Sequence, residues 1–154
     1  MQKKFGRCFE DFKVGDIYKH WPGKTIFESD SNLFCLLTMN RHPVHSDVNY
    51  CKDQKYGKIL VCGLLTVSVV VGMTVSDTSG KAIANLGYEK IDHAGPVFIG
   101  DTLYATTKVL RKRASKSAPD RGVVYLETRG YNQNDQLVLI LRRHMLVPKK
   151  GGAK

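Results

Sequence analysis

Between residues 38 and 47 the chain reads Thr-Met-Asn-Arg-His-Pro-Val-His-Ser-Asp, which sets two imidazoles, His42 and His45, on either side of Pro43. Imidazole is the side chain that gives and takes a proton near neutral pH, so a rigid loop carrying it is a candidate site of general acid–base chemistry. The bland alternative is a histidine that is structural or merely exposed. His42, His45 and Cys51 could be imagined as metal ligands, but their spacing fits no common site. Cys8, Cys35, Cys51 and Cys62 form no C-x-x-C pair, and small free thiols in a reducing compartment are the simpler reading.

The elements around this loop position it. Ser29 or Asp30 can cap a helix whose Leu33, Leu36 and Leu37 fall at i, i+3 and i+4, and which is expected to stop near Arg41. Pro43 pushes His42 out of the α region and makes the following elbow extended and fixed. Ser46 and Asp47 can cap a second short helix that ends before Gly57.

From Ile59 to Val75 local rules disagree. Alternation of apolar and polar residues says strand, while the length of the uninterrupted run says helix. Length decides, and a helix over Leu64 to Ser76, buried on most sides, is expected. After Lys81 the signal is β: strands over 82–93, 102–112, 123–131 and 136–147, with Asn132-Gln133-Asn134-Asp135 as a hairpin turn. An antiparallel sheet wrapped round a central long helix, an α+β architecture, fits that order.

With 154 residues, 42% hydrophobic and 25% charged, the chain suits one globular domain, read as residues 1–148 with a basic, disordered tail over 149–154. No apolar stretch has membrane-spanning length, and no apolar segment follows the basic start, so a cytoplasmic location is expected. The net charge of +10 fits a nucleic acid or a phosphate-bearing small molecule such as coenzyme A. It is carried largely by Arg111-Lys112-Arg113, Lys116, Arg121, Arg142-Arg143 and the terminal lysines, and for most of these a solvated face is the plain reading. No nucleic-acid motif accompanies the charge, so no specific nucleic-acid partner is expected.

Phe9 to Asp16, Asn40 to Asp47, Tyr56-Gly57-Lys58, Val61 to Leu65 and Pro96 to Leu103 together resemble the MaoC-like dehydratases, whose members include the (R)-specific enoyl-CoA hydratases. The resemblance implies a hotdog fold, with the helix after Gly63 wrapped by the sheet, and a homodimer whose sheets join edge to edge. In that family a D-x-N-P-x-H segment activates water. Its His falls on His45 and its Pro on Pro43, while Asn40 stands at the Asp position and His42 at the Asn position. Asn40 cannot take up a proton but can orient water or thioester by hydrogen bonding. His42 could supply a second imidazole, and Asp47 could orient His45 if it does not simply cap the next helix. Gly63 falls on the family's oxyanion position.

The implied reaction is reversible addition of water across the α,β double bond of an enoyl-CoA or related acyl thioester, with His45 and Asn40 as catalytic residues and Gly63 binding substrate. No metal or redox cofactor is called for, coenzyme A being part of the substrate. A branched or dicarboxylic acyl-CoA is one variant of this reading. A non-catalytic acyl-CoA binding module is the alternative that Asn40 leaves open, and thioester hydrolysis lacks a carboxylate placed as its base.

Overall fold

Inward-facing apolar residues at every second position of three long strands set the architecture. In a computed structural model, which describes residues 5–151, β4 (Thr102–Ala114), β5 (Arg121–Tyr131) and β6 (Leu137–Pro148) form consecutive antiparallel pairs. β1 (Ile17–Lys19) adds to β4 on one side, β3 (Ala84–His93) adds to β6 on the other, and β2 (Lys24–Thr25) pairs with the start of β4. The order is β1-β4-β5-β6-β3, so β3 is an edge strand.

Leu103, Ala105, Leu139 and Leu141 line the concave face and pack against the central helix α3 (Gly63–Met73) through Leu65, Val67 and Val70. At Gly130 sheet and helix pack tightly: a Cβ there would lie 2.9 Å from a Val70 methyl carbon. A second cluster of Phe12, Val109, Val124, Leu126, Met145 and Val147 fills the other end. An antiparallel sheet curled round one helix is the expected α+β hotdog arrangement.

Several local expectations are corrected. The helix α1 (Glu28–Leu37) starts before Ser29, and Asp30 sits inside its first turn, its carboxylate accepting from the Phe27 N–H at 3.0 Å. Leu33, Leu36 and Leu37 do not form the buried face. They are 57%, 69% and 75% exposed, and the helix packs instead through Ser31, Phe34 and Cys35. The central helix α3 is buried on most sides, as expected, except for one open stripe. Leu64 is 60% exposed, and Ser68 and Gly72 continue that open stripe at intervals of four. The helix ends at Met73 rather than Ser76, because the Thr74 hydroxyl bonds back to the Val71 carbonyl at 2.7 Å and competes with the ladder.

The basic residues are also sorted. Arg142 pairs with Glu127 on the convex face, but Arg143 points inward, 3% exposed, with Nη2 donating to Thr74 Oγ1 at 2.9 Å. Burial pushes that guanidinium below its usual value. Of the tail expected to be disordered, Lys149 N–H donates to Asp120 O and Lys150 Nζ pairs with Asp11. Residues 152–154 lie outside the described residues. No helix among the described residues is long and apolar enough to cross a membrane.

Candidate active site

The loop bearing His45 is built by the way α1 ends. Met39 takes a left-handed φ of 59°, Asn40 N–H donates to Cys35 O and Met39 N–H to Leu36 O, a Schellman turn that stops the helix well before Arg41. Asn40 is thereby held with its Nδ2 donating to Cys62 Sγ at 3.3 Å, while its Oδ1 accepts from the His42 N–H. Pro43 keeps His42 extended and opens a short 3-10 turn, Pro43–His45. His42 spends its Nδ1 as an acceptor for the Val44 N–H at 3.2 Å, so its ring caps this turn. Asp47 caps α2 (Val48–Lys52), accepting from the Tyr50 N–H at 2.9 Å, and that is the simpler of its two expected roles.

His45 itself is aimed by a main-chain contact. Its Nδ1 lies 2.6 Å from the Leu60 carbonyl oxygen. A carbonyl only accepts, so Nδ1 must carry the hydrogen, and the neutral ring presents Nε2 as its free base. Leu60 is anchored in turn, its N–H donating to Val44 O at 3.1 Å.

Opposite this loop α3 begins at Gly63, with Cys62 as the cap residue. The first N–H groups of a helix have no partner within it and face outward with the positive end of the helix dipole. They form a donor set for an anionic oxygen, and known donors of this kind are worth about 3 kcal/mol of barrier. Gly63 does not owe its identity to a left-handed backbone. A Cβ there would stand 2.7 Å from Cε1 and 2.9 Å from Nε2 of His93.

His45, Gly63, Tyr56, Thr66 and His93 line one cleft of about 430 Å³, with Val61 and Val97 among its apolar walls. The structure therefore brings His45 and Gly63 together as expected of one site. Asn40 is not among the residues lining the cleft; it lies behind, against Cys62. His93 reads in sequence only as the end of a strand, and Tyr56 only as part of a short motif. The Gly95-Pro96 turn just after His93, which ends the strand at a rim, was the available signal.

Similar proteins include acyl-CoA hydratases and dehydratases. A β-methylmalyl-CoA dehydratase of Chloroflexus aurantiacus is 37% identical over 94% of this chain and 41% of its own length. A mesaconyl-CoA hydratase of Cereibacter sphaeroides is 33% identical over 99% of this chain and 44% of its own length. The chain thus spans less than half the length of these two relatives. A Mycobacterium tuberculosis protein described as having a double hotdog fold superposes with a TM-score of 0.85 at 26% identity, over 97% of this chain and 46% of that one. The model of the MaoC like domain matches residues 11–130, which takes in the His45 loop, the start of α3 and the His93 strand, and the chain belongs to that family.

Proposed function

We propose that this chain carries a hydratase site that adds water reversibly to an enoyl-CoA or related acyl thioester. The observation that carries this reading is His45: its Nδ1–H is committed to Leu60 O, and its ring lines the cleft that holds the start of α3. His45 Nε2 takes a proton from water as the water oxygen attacks the β-carbon. The thioester oxygen, on which enolate charge builds, rests on the Gly63 N–H. Asn40 supports the loop through Cys62 and His42. Acid–base transfer suffices for this chemistry, so neither a metal nor a redox cofactor takes part, and coenzyme A arrives with the substrate.

The relatives' names direct attention to short, branched thioesters with a second carboxylate, and a cleft of about 430 Å³ suits a short acyl chain. An adjoining cleft shares Ala94, Gly95 and Pro96 with the first and is lined by Lys58, a cation placed to meet coenzyme A phosphate. Two copies join along the open edge of β3, where Leu86, Tyr88 and Ile91 are exposed. Free thiols at Cys35, Cys51 and Cys62 and an acyl-CoA substrate fit a cytoplasmic setting.

Loss of enoyl absorbance on a panel of enoyl-CoAs, mesaconyl-CoA included, tests the reading. The wild type hydrates at least one of them, His45→Ala slows that reaction by about a hundred- to ten-thousand-fold, and Asn40→Asp, which loses the donor to Cys62 behind the cleft, does not raise it. A wild type that binds acyl-CoA but hydrates none of them favours an acyl-CoA binding module instead. A His45→Ala variant as fast as the wild type removes the hydratase reading.

A further inference from the structure

We propose that His93 is a second catalytic residue of this cleft, donating the proton that the substrate's α-carbon receives while His45 takes one from water. The inference rests on the hydratase reading above. Hydration needs a proton taken at one carbon's side and a proton given at the other, and Asn40 carries none to exchange. The titratable side chains lining the cleft are His45, Tyr56 and His93, and of these types only imidazole exchanges a proton readily near neutral pH.

Position assigns the two histidines different ends of the reaction. The His93 ring lies against the Cα of Gly63, so close that a Cβ there would meet Cε1 at 2.7 Å, Nε2 at 2.9 Å and Nδ1 at 3.1 Å. It therefore stands beside Gly63, whose N–H is the proposed anchor of the thioester oxygen. The α-carbon is bonded directly to that carbonyl, while water attacks the β-carbon one bond further on. A proton donor beside Gly63 thus serves the α-carbon, and His45, anchored on Leu60, serves the water.

His93 is also unspent. Both ring nitrogens of His20 are hydrogen-bonded, His42 caps its turn, His45 uses Nδ1 and His144 stacks on Tyr125. Among the described residues, none is hydrogen-bonded to the His93 ring. It ends an edge strand, where nothing in the core requires an imidazole.

The step balances. A water O–H bond breaks and its proton passes to His45 Nε2. The O–C bond forms at the β-carbon, and the π electrons move to the thioester oxygen as an enolate on the Gly63 N–H. That enolate collapses as the α-carbon takes a proton from the His93 imidazolium. Solvent then returns a proton from His45 to His93, so the net reaction consumes one water.

The test compares wild type, His93→Gln and His93→Ala on mesaconyl-CoA and crotonyl-CoA, with melting temperature and solution mass as controls for folding. His93→Gln is expected to lower kcat by about a hundred- to ten-thousand-fold with KM changed only a few-fold. It also removes one limb of the pH–rate profile and slows exchange of the product's α-hydrogen with D2O. Glutamine keeps a hydrogen-bonding group of similar size, so a merely structural or hydrogen-bonding His93 would leave His93→Gln within about tenfold of wild type with its pH profile intact. That result overturns the proposal and leaves the hydratase reading standing. A wild type inactive on every thioester overturns both.

Discussion

His20 Nδ1 lies 2.9 Å from Asp77 Oδ2, and its Nε2 lies 2.7 Å from Thr107 Oγ1. The ring thus ties the segment after β1 to the turn that follows α3 and to the middle of the sheet. Its bonds fit the neutral imidazole: Nδ1–H donates to Asp77, and Nε2 accepts from Thr107, which can accept from Thr128 at 2.8 Å.

Stability is expected to fall on mild acidification for this reason. Burial pushes His20 below its ordinary value of 6.5, outweighing the Asp77 carboxylate that pulls it up, and Arg143 adds to the depression. Below about pH 6.5 the unfolded chain binds a proton that the folded chain resists, so the stability held above that pH is lost as pH falls through the folded value. Urea unfolding between pH 7.5 and 5 checks this. His20→Asn should flatten the dependence and cost about 1–3 kcal/mol at neutral pH, because the buried Thr107 loses a partner. An unchanged pH dependence in that variant would show that other groups control it.

Gly63→Ala separates stability from activity. The added methyl meets the far end of the His93 ring, which can swing away, so the melting curve should move by less than about 1 kcal/mol. That ring lines the cleft, so the movement that relieves the clash misplaces a reacting group, and a displacement near 1 Å costs about a hundredfold in rate. Measuring both on one preparation decides the matter. A large loss of stability with activity retained would contradict the placement of His93.

The open edge of β3 predicts the assembly. Light scattering at micromolar concentration should return twice the chain mass of 17.3 kDa. Ile91→Lys, which puts a charge on an exposed apolar position of that edge, should lower the mass toward the single chain. A wild type that scatters as one chain rules the dimer out.

Sequence reading succeeded where a feature is local or repeated. The hairpin at Asn132–Asp135 rests on Asn132 Oδ1 accepting from the Asn134 and Gln136 N–H groups, a property of the turn residues themselves. The central helix was legible from length, despite its strand-like alternation. The motif stretches single out His45 and Gly63, and both line one cleft.

What was not legible depends on partners distant in the chain. The leucines of α1 mark an apolar face, but the small Ser31 and Cys35 let that helix approach the core, so the leucines stay out. Strand alternation puts Arg143 on the inward face with Leu141 and Met145, but the Thr74 hydroxyl that receives its guanidinium lies in a distant segment. Asn40 turns toward Cys62 because of a helix stop at Met39, a left-handed residue whose type does not advertise it.

The clamp on His45 is made of main chain. Leu60 N–H is given to Val44 and Leu60 O receives His45, so both polar groups of one peptide position serve the loop that bears the imidazole. Proline apart, any residue at 60 can supply the same two groups. The ring's aim is therefore insulated from side-chain drift at that position, and evolution could reshape the cleft wall there for a different acyl group without disturbing the tautomer on which proton transfer depends.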